Sequence, residues 1–169
     1  MRRPASSGTE HTKRSPNAGP VAGAGSPHCY SFAMTNWDTP GLIDIPAVRD
    51  HLGALGVVEK DLPFPFPIKR VYFLYDVPAD AVRGSHAHKE LHQLIIAVSG
   101  SFIVELDNGS EKLSFDLHSP DKGLRVPPGY WRTLSNFSGG AAALVFASEE
   151  YDPTDYIRDY DEFVSWSQK

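Results

Sequence analysis

The sequence has little cysteine, no long apolar run and no excess of positive charge. Its single cysteine, Cys29, cannot form an internal disulfide and lies in a polar stretch without catalytic neighbours. No stretch of about 18 apolar residues could span a bilayer, and Arg2 and Arg3 are not followed by the apolar segment of a secretory signal. The formal net charge of -5 argues against nucleic-acid binding, which needs a basic surface. These absences predict a cytoplasmic protein whose partners are neither membranes nor nucleic acids.

Large apolar residues are also scarce before Tyr30. Residues 1–36 are rich in glycine, alanine, serine and proline, and such a segment cannot bury enough apolar surface to offset the entropy of ordering. The composition therefore predicts a disordered tail over residues 1–36. The remaining residues, 37–169, are long enough for one domain with a single core.

From Trp37 onward the chain has short apolar runs separated by turn residues, which is typical of an all-β sandwich or barrel. One hairpin is clear: residues 102–106 and 112–117 flank Asn108-Gly109, which supplies the positive φ values of a tight turn. In the second strand Leu113, Phe115 and Leu117 alternate with polar residues and share one face. Further strands are predicted over 54–59, 69–76, 94–98 and 141–147, with the proline-rich residues 63–67 extended.

One amphipathic helix is predicted near the C-terminus. Asp152 is typical of an N-cap, and Pro153 is typical of the first helical position. Tyr156, Tyr160 and Phe163 then recur at helical spacing. The expected architecture is therefore all-β with a short C-terminal helix.

Two histidines form the strongest candidate site. His86 and His88 are two residues apart, so on a strand both rings project from the same face. Imidazole titrates near neutral pH, which suits it to general acid and base catalysis. An arbitrary pair of this kind is more often exposed or merely structural, so the surrounding spacing decides the interpretation.

The spacing around this pair resembles the two sequence motifs of the cupin superfamily. After His88, Gln93 follows four intervening residues and Gly100 follows six more. The second motif is matched by Pro127-Pro128-Gly129, Arg132 and Asn136. The resemblance implies a cupin fold, which is a double-stranded β-helix or jelly-roll barrel.

Two of the four metal-ligand positions of this superfamily carry unsuitable residues. Metal-dependent cupins use three histidines and a glutamate, whereas here Gln93 stands at the glutamate position and Arg132 at the last histidine position. A neutral amide replaces an anionic ligand poorly, and a guanidinium has no free lone pair and repels cations. The resemblance therefore predicts neither a metal nor another cofactor. Arg132 is suited instead to stabilising an enolate or to holding a phosphate.

Four spaced blocks resemble a narrower family, the nucleotide-sugar 3,4-ketoisomerases. They are residues 68–72, 83–89, 127–132 and 155–160, within a similarity that covers most of residues 50–166. The resemblance implies a metal-free homodimer that acts on dTDP-4-keto-6-deoxyglucose. It would move the keto group from C4 to C3 through an enediol, in the biosynthesis of deoxysugars and aminosugars, upstream of an aminotransferase.

The resemblance also suggests which residues perform this chemistry. We expect His88 to be the base that takes the C3 proton, with His86 as its partner or relay. Tyr72 is a candidate for passing a proton through its hydroxyl, although a half-buried aromatic residue is nearly as good an interpretation.

Substrate binding calls for three kinds of side chain. A doubly anionic diphosphate needs several cationic donors on an acidic protein, and thymine or the hexose needs an aromatic face. The candidates are Arg70, Arg83, Lys89, Arg132 and Arg158 for the diphosphate, Tyr130 and Trp131 for stacking, and Gln93 for a sugar hydroxyl.

Three other functions fit parts of the pattern. A 3,5-epimerase of the same sugar nucleotides is also a metal-free cupin, but it would rely on a histidine and aspartate pair. In a non-catalytic sugar-binding cupin the histidines would only donate hydrogen bonds to a ligand. A metal-dependent oxygenase or isomerase is the third alternative, against which Gln93 and Arg132 argue.

Overall fold

The computed structural model describes residues 36–60 and 63–169. The first half of this part contains β1 (Gly41–Asp44), β2 (Ala47–Asp50), β3 (Gly53–Gly56), β4 (Glu59–Lys60), β5 (Pro63–Phe64), β6 (Arg70–Leu74) and β7 (Arg83–His88). The second half contains β8 (Gln93–Ser99), β9 (Phe102–Asp107), β10 (Lys112–Leu117), β11 (Lys122–Val126), β12 (Trp131–Ser135), β13 (Ala142–Ala147), a 3-10 turn (Pro153–Asp155), β14 (Tyr156–Ile157) and α1 (Tyr160–Ser167). The predicted tail, with Cys29, lies outside the described residues except for Asn36.

Two five-stranded antiparallel sheets form the barrel. One has the strand order β1-β11-β8-β13-β6, and the other has the order β10-β9-β12-β7-β14. Consecutive strands such as β7 and β8 lie in different sheets, as expected when a jelly roll crosses between its two layers. The predicted all-β cupin fold with a short C-terminal helix is therefore confirmed. No helix in the described part of the chain is long and apolar enough to cross a membrane.

The main core lies between the two sheets. Alternate residues of β9, Phe102, Val104 and Leu106, meet Ile95 and Leu124 from the other sheet, and all five are essentially inaccessible to solvent. Removing a side chain of this size from water contributes roughly 1.5–3 kcal/mol. The apolar runs of the sequence thus hold the two sheets together.

The predicted hairpin is present, with a looser turn than expected. β9 pairs with β10 from Lys112 opposite Asp107, and the apolar face of β10 packs against the core as the alternation predicted, with Leu113 and Phe115 partly buried and Leu117 buried. Only Gly109 of the Asn-Gly pair has a positive φ, of 88°. The Asn108 side chain instead accepts hydrogen bonds from the backbone N–H groups of Ser110 and Glu111. The loop is therefore longer than a two-residue turn because Asn108 organises it through its side chain.

The helix begins later than the sequence predicted. Asp152 caps only the 3-10 turn, where its side chain accepts from Thr154 N at 2.8 Å. Tyr156 is not helical but lies in β14, where it pairs with His88. The helix starts at Tyr160 and is capped by Asp159. Pairing with β7 satisfies the backbone at Tyr156, and this tertiary contact overrides the helical spacing.

The N-terminal strands also differ from the prediction. The strand expected over 54–59 is split into β3, which pairs with β2 in an exposed hairpin, and β4. β1, which the apolar pattern did not reveal, pairs with β11 at the edge of the first sheet. These strands are short and largely exposed, so burial imposes little periodicity on their sequence.

Candidate active site

A bulge in β7 turns the strand into the barrel at His86. Residues on β12 pair with His86 and with Gly84, so that Ser85 between them is unpaired. Gly84 and Ser85 have φ values of 86° and 55°. A Cβ on Gly84 would lie 2.8 Å from the carbonyl oxygen of Arg132, so the close approach of β12 requires glycine here. The strand is exposed before the bulge and buried after it.

The hydrogen bonds of the two histidines fix their tautomers. His86 Nδ1 lies 3.0 Å from the Gly84 carbonyl oxygen, and His88 Nδ1 lies 2.7 Å from Asp155 Oδ2. A carbonyl oxygen and an ionised carboxylate can only accept hydrogen bonds. Each Nδ1 therefore carries a proton, and each Nε2 carries a lone pair. His86 Nε2 accepts from Arg132 Nη2 at 3.0 Å, whereas the buried His88 Nε2 has no partner.

Both histidines are uncharged at neutral pH. Burial, followed by the nearby Arg132 guanidinium, lowers the pKa of His86 from 6.5 to about 4. The same two causes, with His86 and further arginines, also lower the pKa of His88. A neutral imidazole can accept a proton without first losing one, and His88, whose Nε2 lone pair is free, is in that state at pH 7.

A buried arginine occupies the centre of the site. The Arg132 guanidinium donates to Gln93 Oε1, to Tyr72 Oη at 3.2 Å and to His86 Nε2. Gln93 Nε2 also donates to Tyr72 Oη at 2.6 Å. The tyrosine oxygen thus accepts two hydrogen bonds, and its own proton is free to be donated towards the cavity.

The residues at this centre do not fit the metal of the wider cupin superfamily. Two of the ligand positions hold Gln93 and Arg132, and the guanidinium already uses the Nε2 lone pair of His86. A cation placed here would face a positive charge and would find no carboxylate at the Gln93 position. We therefore derive no step of the chemistry from a metal.

A cavity of about 420 Å³ opens beside this network. Its lining combines polar, strongly cationic side chains with apolar ones. Its polar lining is Arg70, Tyr72, Arg83, His86, Arg132, Tyr156 and Arg158, and its apolar lining is Leu74, Val82, Ile95, Leu134 and Val145. The cavity is large enough for a hexose and offers both hydrogen-bond donors and an apolar wall.

Several candidate residues lie away from this cavity. Lys89 Nζ donates to the Thr154 carbonyl oxygen on the surface, and Trp131 packs edge-on against Tyr160 of α1. Tyr130 packs against the apolar core. Gln93 is completely buried and contacts Tyr72 and Arg132 instead of lining the cavity. His88 does not line the cavity either, but its ring packs against those of His86 and Tyr156, which do. The cavity of a single chain thus contains no stacking surface from Tyr130 or Trp131.

Sequence reasoning missed Asp155 and Tyr156. The centroid of the Tyr156 ring lies 4.9 Å from that of the His86 ring and 4.3 Å from that of the His88 ring. The Arg158 guanidinium carbon lies 4.3 Å from the same Tyr156 centroid. Both missed residues belong to the block 155–160 that carried the family resemblance, and this was a usable signal. The helical interpretation of the segment concealed its pairing with β7.

The contact between His88 and Asp155 means that a histidine and aspartate pair cannot be used to tell the isomerase from the epimerase. A histidine and aspartate pair was expected of the alternative 3,5-epimerase, yet this chain has one. The pair therefore does not separate the two activities, and the decision depends on the similarity to known proteins and on the outcome of the reaction.

Comparison with protein families gives one match over most of the chain. The family model described as "FdtA: WxcM-like, C-terminal" matches residues 38–168. This range includes every candidate site residue.

Two kinds of relative agree with that match. The curated TDP-4-oxo-6-deoxy-alpha-D-glucose-3,4-oxoisomerase of Aneurinibacillus thermoaerophilus is 40% identical over 128 residues, which are 76% of this chain and 92% of that protein. A 3,4-ketoisomerase from Helicobacter canadensis has a TM-score of 0.75 and 41% identity, covering 77% of this chain and 98% of that one. QdtA, a sugar 3,4-ketoisomerase from Thermoanaerobacterium thermosaccharolyticum solved in complex with TDP, has a TM-score of 0.74 and 40% identity, covering 76% of this chain and 94% of that one.

Proposed function

The chain belongs to the FdtA (WxcM-like, C-terminal) family, and from this membership and the geometry of the site we infer that it is a sugar-nucleotide 3,4-ketoisomerase. It converts dTDP-4-keto-6-deoxyglucose into the 3-keto isomer. The observation that carries the proposal is a neutral histidine with a free Nε2, His88, whose ring packs against the His86 and Tyr156 rings of a cavity that Arg132 and Tyr72 also line.

The first step that we propose is removal of the C3 proton by His88 Nε2. The C4 carbonyl acidifies this proton, so that the C3–H electrons form a C3=C4 double bond and the carbonyl electrons move onto O4. The resulting enediolate needs hydrogen-bond donors, and Arg132 and Tyr72 are close together at the cavity. Donors held in place before the reaction stabilise such a charge strongly.

The second step returns the proton to C4. The O3 hydroxyl loses its proton as the C3=O bond forms, O4 becomes a hydroxyl, and C4 takes up the proton carried by His88 after that proton has exchanged with the solvent. Tyr72 and His86 are suited to move the hydroxyl proton from O3 to O4, because the Tyr72 hydroxyl has a free hydrogen and both line the cavity. No atom is gained or lost, so the reaction is an isomerisation.

Three arginines are the proposed binding site for the diphosphate of the substrate. Arg70, Arg83 and Arg158 line the same cavity, and their charges suit a TDP-linked sugar on a protein whose net charge is negative. Lys89, which is held by Thr154 on the surface, is a weaker candidate for this role.

A homodimer is the assembly that we propose. It is supported by apolar side chains at the edge strand β6: Val71 and Phe73 on this strand and Tyr75 just after it are each at least half exposed. A second chain at this edge would cover them. The cytoplasm as the compartment rests on the composition alone, and a role in aminosugar synthesis rests on the reactivity of a 3-keto group towards amino transfer.

The test is proton NMR of the chelator-treated protein with dTDP-4-keto-6-deoxyglucose in deuterated water. Wild type is expected to form a 3-keto species with deuterium at C4. His88→Asn is expected to slow this by about 10²–10⁴-fold, which is the range for loss of a general base. His51→Asn, at an exposed turn residue, is the control and should leave the rate unchanged. Exchange at C5 without a 3-keto product would favour the epimerase, and no exchange at all would favour a binding protein.

A further inference from the structure

Asp155 is held in place by contacts to both of its carboxylate oxygens. Oδ2 lies 2.7 Å from His88 Nδ1, while Oδ1 accepts from the backbone N–H groups of Lys89 at 3.0 Å and Glu90 at 2.8 Å. The side chain is only 14% exposed. Three donors thus hold the carboxylate in one orientation against the histidine ring, although the two residues are 67 positions apart in the chain.

The surroundings of His88 show why this contact matters. Its ring packs edge-on against His86 and Tyr156, which impose no choice between the two nitrogens. The other groups whose charge acts on it are Arg132, Arg70 and Arg158, all of which oppose a positive imidazolium. Asp155 supplies both the acceptor that selects the tautomer and the negative charge that opposes those arginines.

The two histidines differ in this respect. His86 Nδ1 donates to a backbone carbonyl, which is neutral, and its Nε2 is already bonded to Arg132. His88 Nδ1 donates to a carboxylate, and its Nε2 is free. Only His88 therefore has both a vacant lone pair and a counter-charge for the proton that it would receive.

We propose that Asp155 is a positioning residue that makes His88, and not His86, the base of the reaction. Its carboxylate holds the proton on Nδ1, leaves the lone pair on Nε2 and balances the charge while His88 carries the C3 proton. Asp155 acts through the histidine and does not touch the substrate. This inference rests on the proposed function only in taking proton removal from C3 as the chemistry.

Asp155→Asn tests the proposal because the amide has nearly the same shape. Its oxygen can still accept from the N–H groups of Lys89 and Glu90, which places its NH₂ group against His88 Nδ1. The ring must then carry its proton on Nε2, and the lone pair of the base is lost. We expect kcat to fall by about 10²–10⁴-fold with little change in KM, as general-base loss and a wrong tautomer predict.

The matched control is Asp152→Asn in the same 3-10 turn. Asp152 caps this turn but contacts Thr154 and not His88, so its variant should retain kcat. Nitrogen-15 NMR of histidine-labelled protein should show His88 protonated on Nδ1 in wild type and in Asp152→Asn, and on Nε2 in Asp155→Asn. A merely structural role would not change the tautomer.

Three results would overturn the proposal: undiminished kcat in Asp155→Asn, a loss of kcat without the tautomer change, or an equal loss in Asp152→Asn. If Asp155→Asn does not fold, the wild-type NMR spectrum decides, because a proton on Nε2 of His88 contradicts the assignment directly. Failure of the proposed function would look different. Wild type would then form no 3-keto product, while the tautomer measurement would still report on the pair.

Discussion

The interior of the barrel has an apolar end and a polar end, and the same strands supply both. β8 contributes Gln93 to the polar end and Ile95 to the apolar end, and β12 contributes Arg132 and Leu134 in the same way. All four of these side chains are buried. The apolar end is stabilised by van der Waals packing, which has no preferred direction. The polar end is stabilised by hydrogen bonds, which orient each group.

This difference separates stability from chemistry. At the apolar end, dense packing of side chains such as Phe102 and Leu124 favours one arrangement of the two sheets. At the polar end, His88 Nε2 and Arg132 Nε are buried without a hydrogen-bond partner. A buried unsatisfied polar atom costs about 1–3 kcal/mol, and a catalytic base is one place where this cost serves a purpose.

The largest effect on stability is expected from truncating a buried side chain at the apolar end. Phe102→Ala removes a ring that is 1% exposed and stacks on Phe137, so the free energy of unfolding should fall by about 3–5 kcal/mol. The rate per folded molecule should stay within a few-fold of wild type. Urea denaturation and an assay at low temperature measure the two quantities. A large loss of rate in protein that is shown to be folded would mean that the two ends are coupled.

The next effect comes from altering the polar end so that it resembles a metal-binding cupin. The double variant Gln93→Glu, Arg132→His replaces the amide and the guanidinium by residues that can ligate a cation beside His86 and His88. We expect isomerase activity to fall by about 10²–10³-fold, because a preorganised donor is lost. We also expect one transition-metal ion per chain in metal analysis.

The single variant Gln93→Glu is the control for this experiment. It retains Arg132, whose positive charge should still exclude a cation, so it should bind no metal. Equal metal binding by the single and the double variant would contradict the view that the guanidinium keeps the site free of metal.

The smallest effect concerns pH. In the folded protein the pKa of His86 is lowered to about 4, while in the unfolded chain it returns to 6.5. Between these values the unfolded state binds more protons, so stability is complete above pH 6.5 and is lost as the pH falls towards 4. At 1.36 kcal/mol per pH unit, His86 alone should account for a loss of about 2 kcal/mol by pH 5.

Urea midpoints of wild type, His86→Gln and His51→Gln at pH 7.5 and pH 5 measure this contribution. His86→Gln should reduce the pH dependence, and His51→Gln, which changes a histidine exposed at a turn, is the control. An unchanged pH dependence in His86→Gln would show that the buried ring accepts a proton as readily as an exposed one.

The parts of the fold that could be predicted are those where burial imposes a pattern on nearby residues. Leu113, Phe115 and Leu117 alternate because one face of β10 meets the core, and β6, β8, β9 and β13 were recognisable from their apolar or β-branched residues. The sequence analysis did not predict β11 or β12. β1 to β3 were missed or misplaced because their side chains are largely exposed. The helix start was misplaced because Tyr156 follows a strand partner that is distant in sequence.

By itself the sequence determined the all-β class and the two histidines on one strand, because each is a matter of composition or short-range spacing. The resemblance to cupins added the prediction that Gln93 and Arg132 stand at metal-ligand positions. Tertiary structure alone decided that Arg132 joins Gln93, Tyr72 and His86, and that Asp155 reaches His88. It also moved Lys89, Tyr130 and Trp131 away from the cavity. Which side chains meet depends on strand pairing between distant segments, and local periodicity carries no information about the partner of a strand.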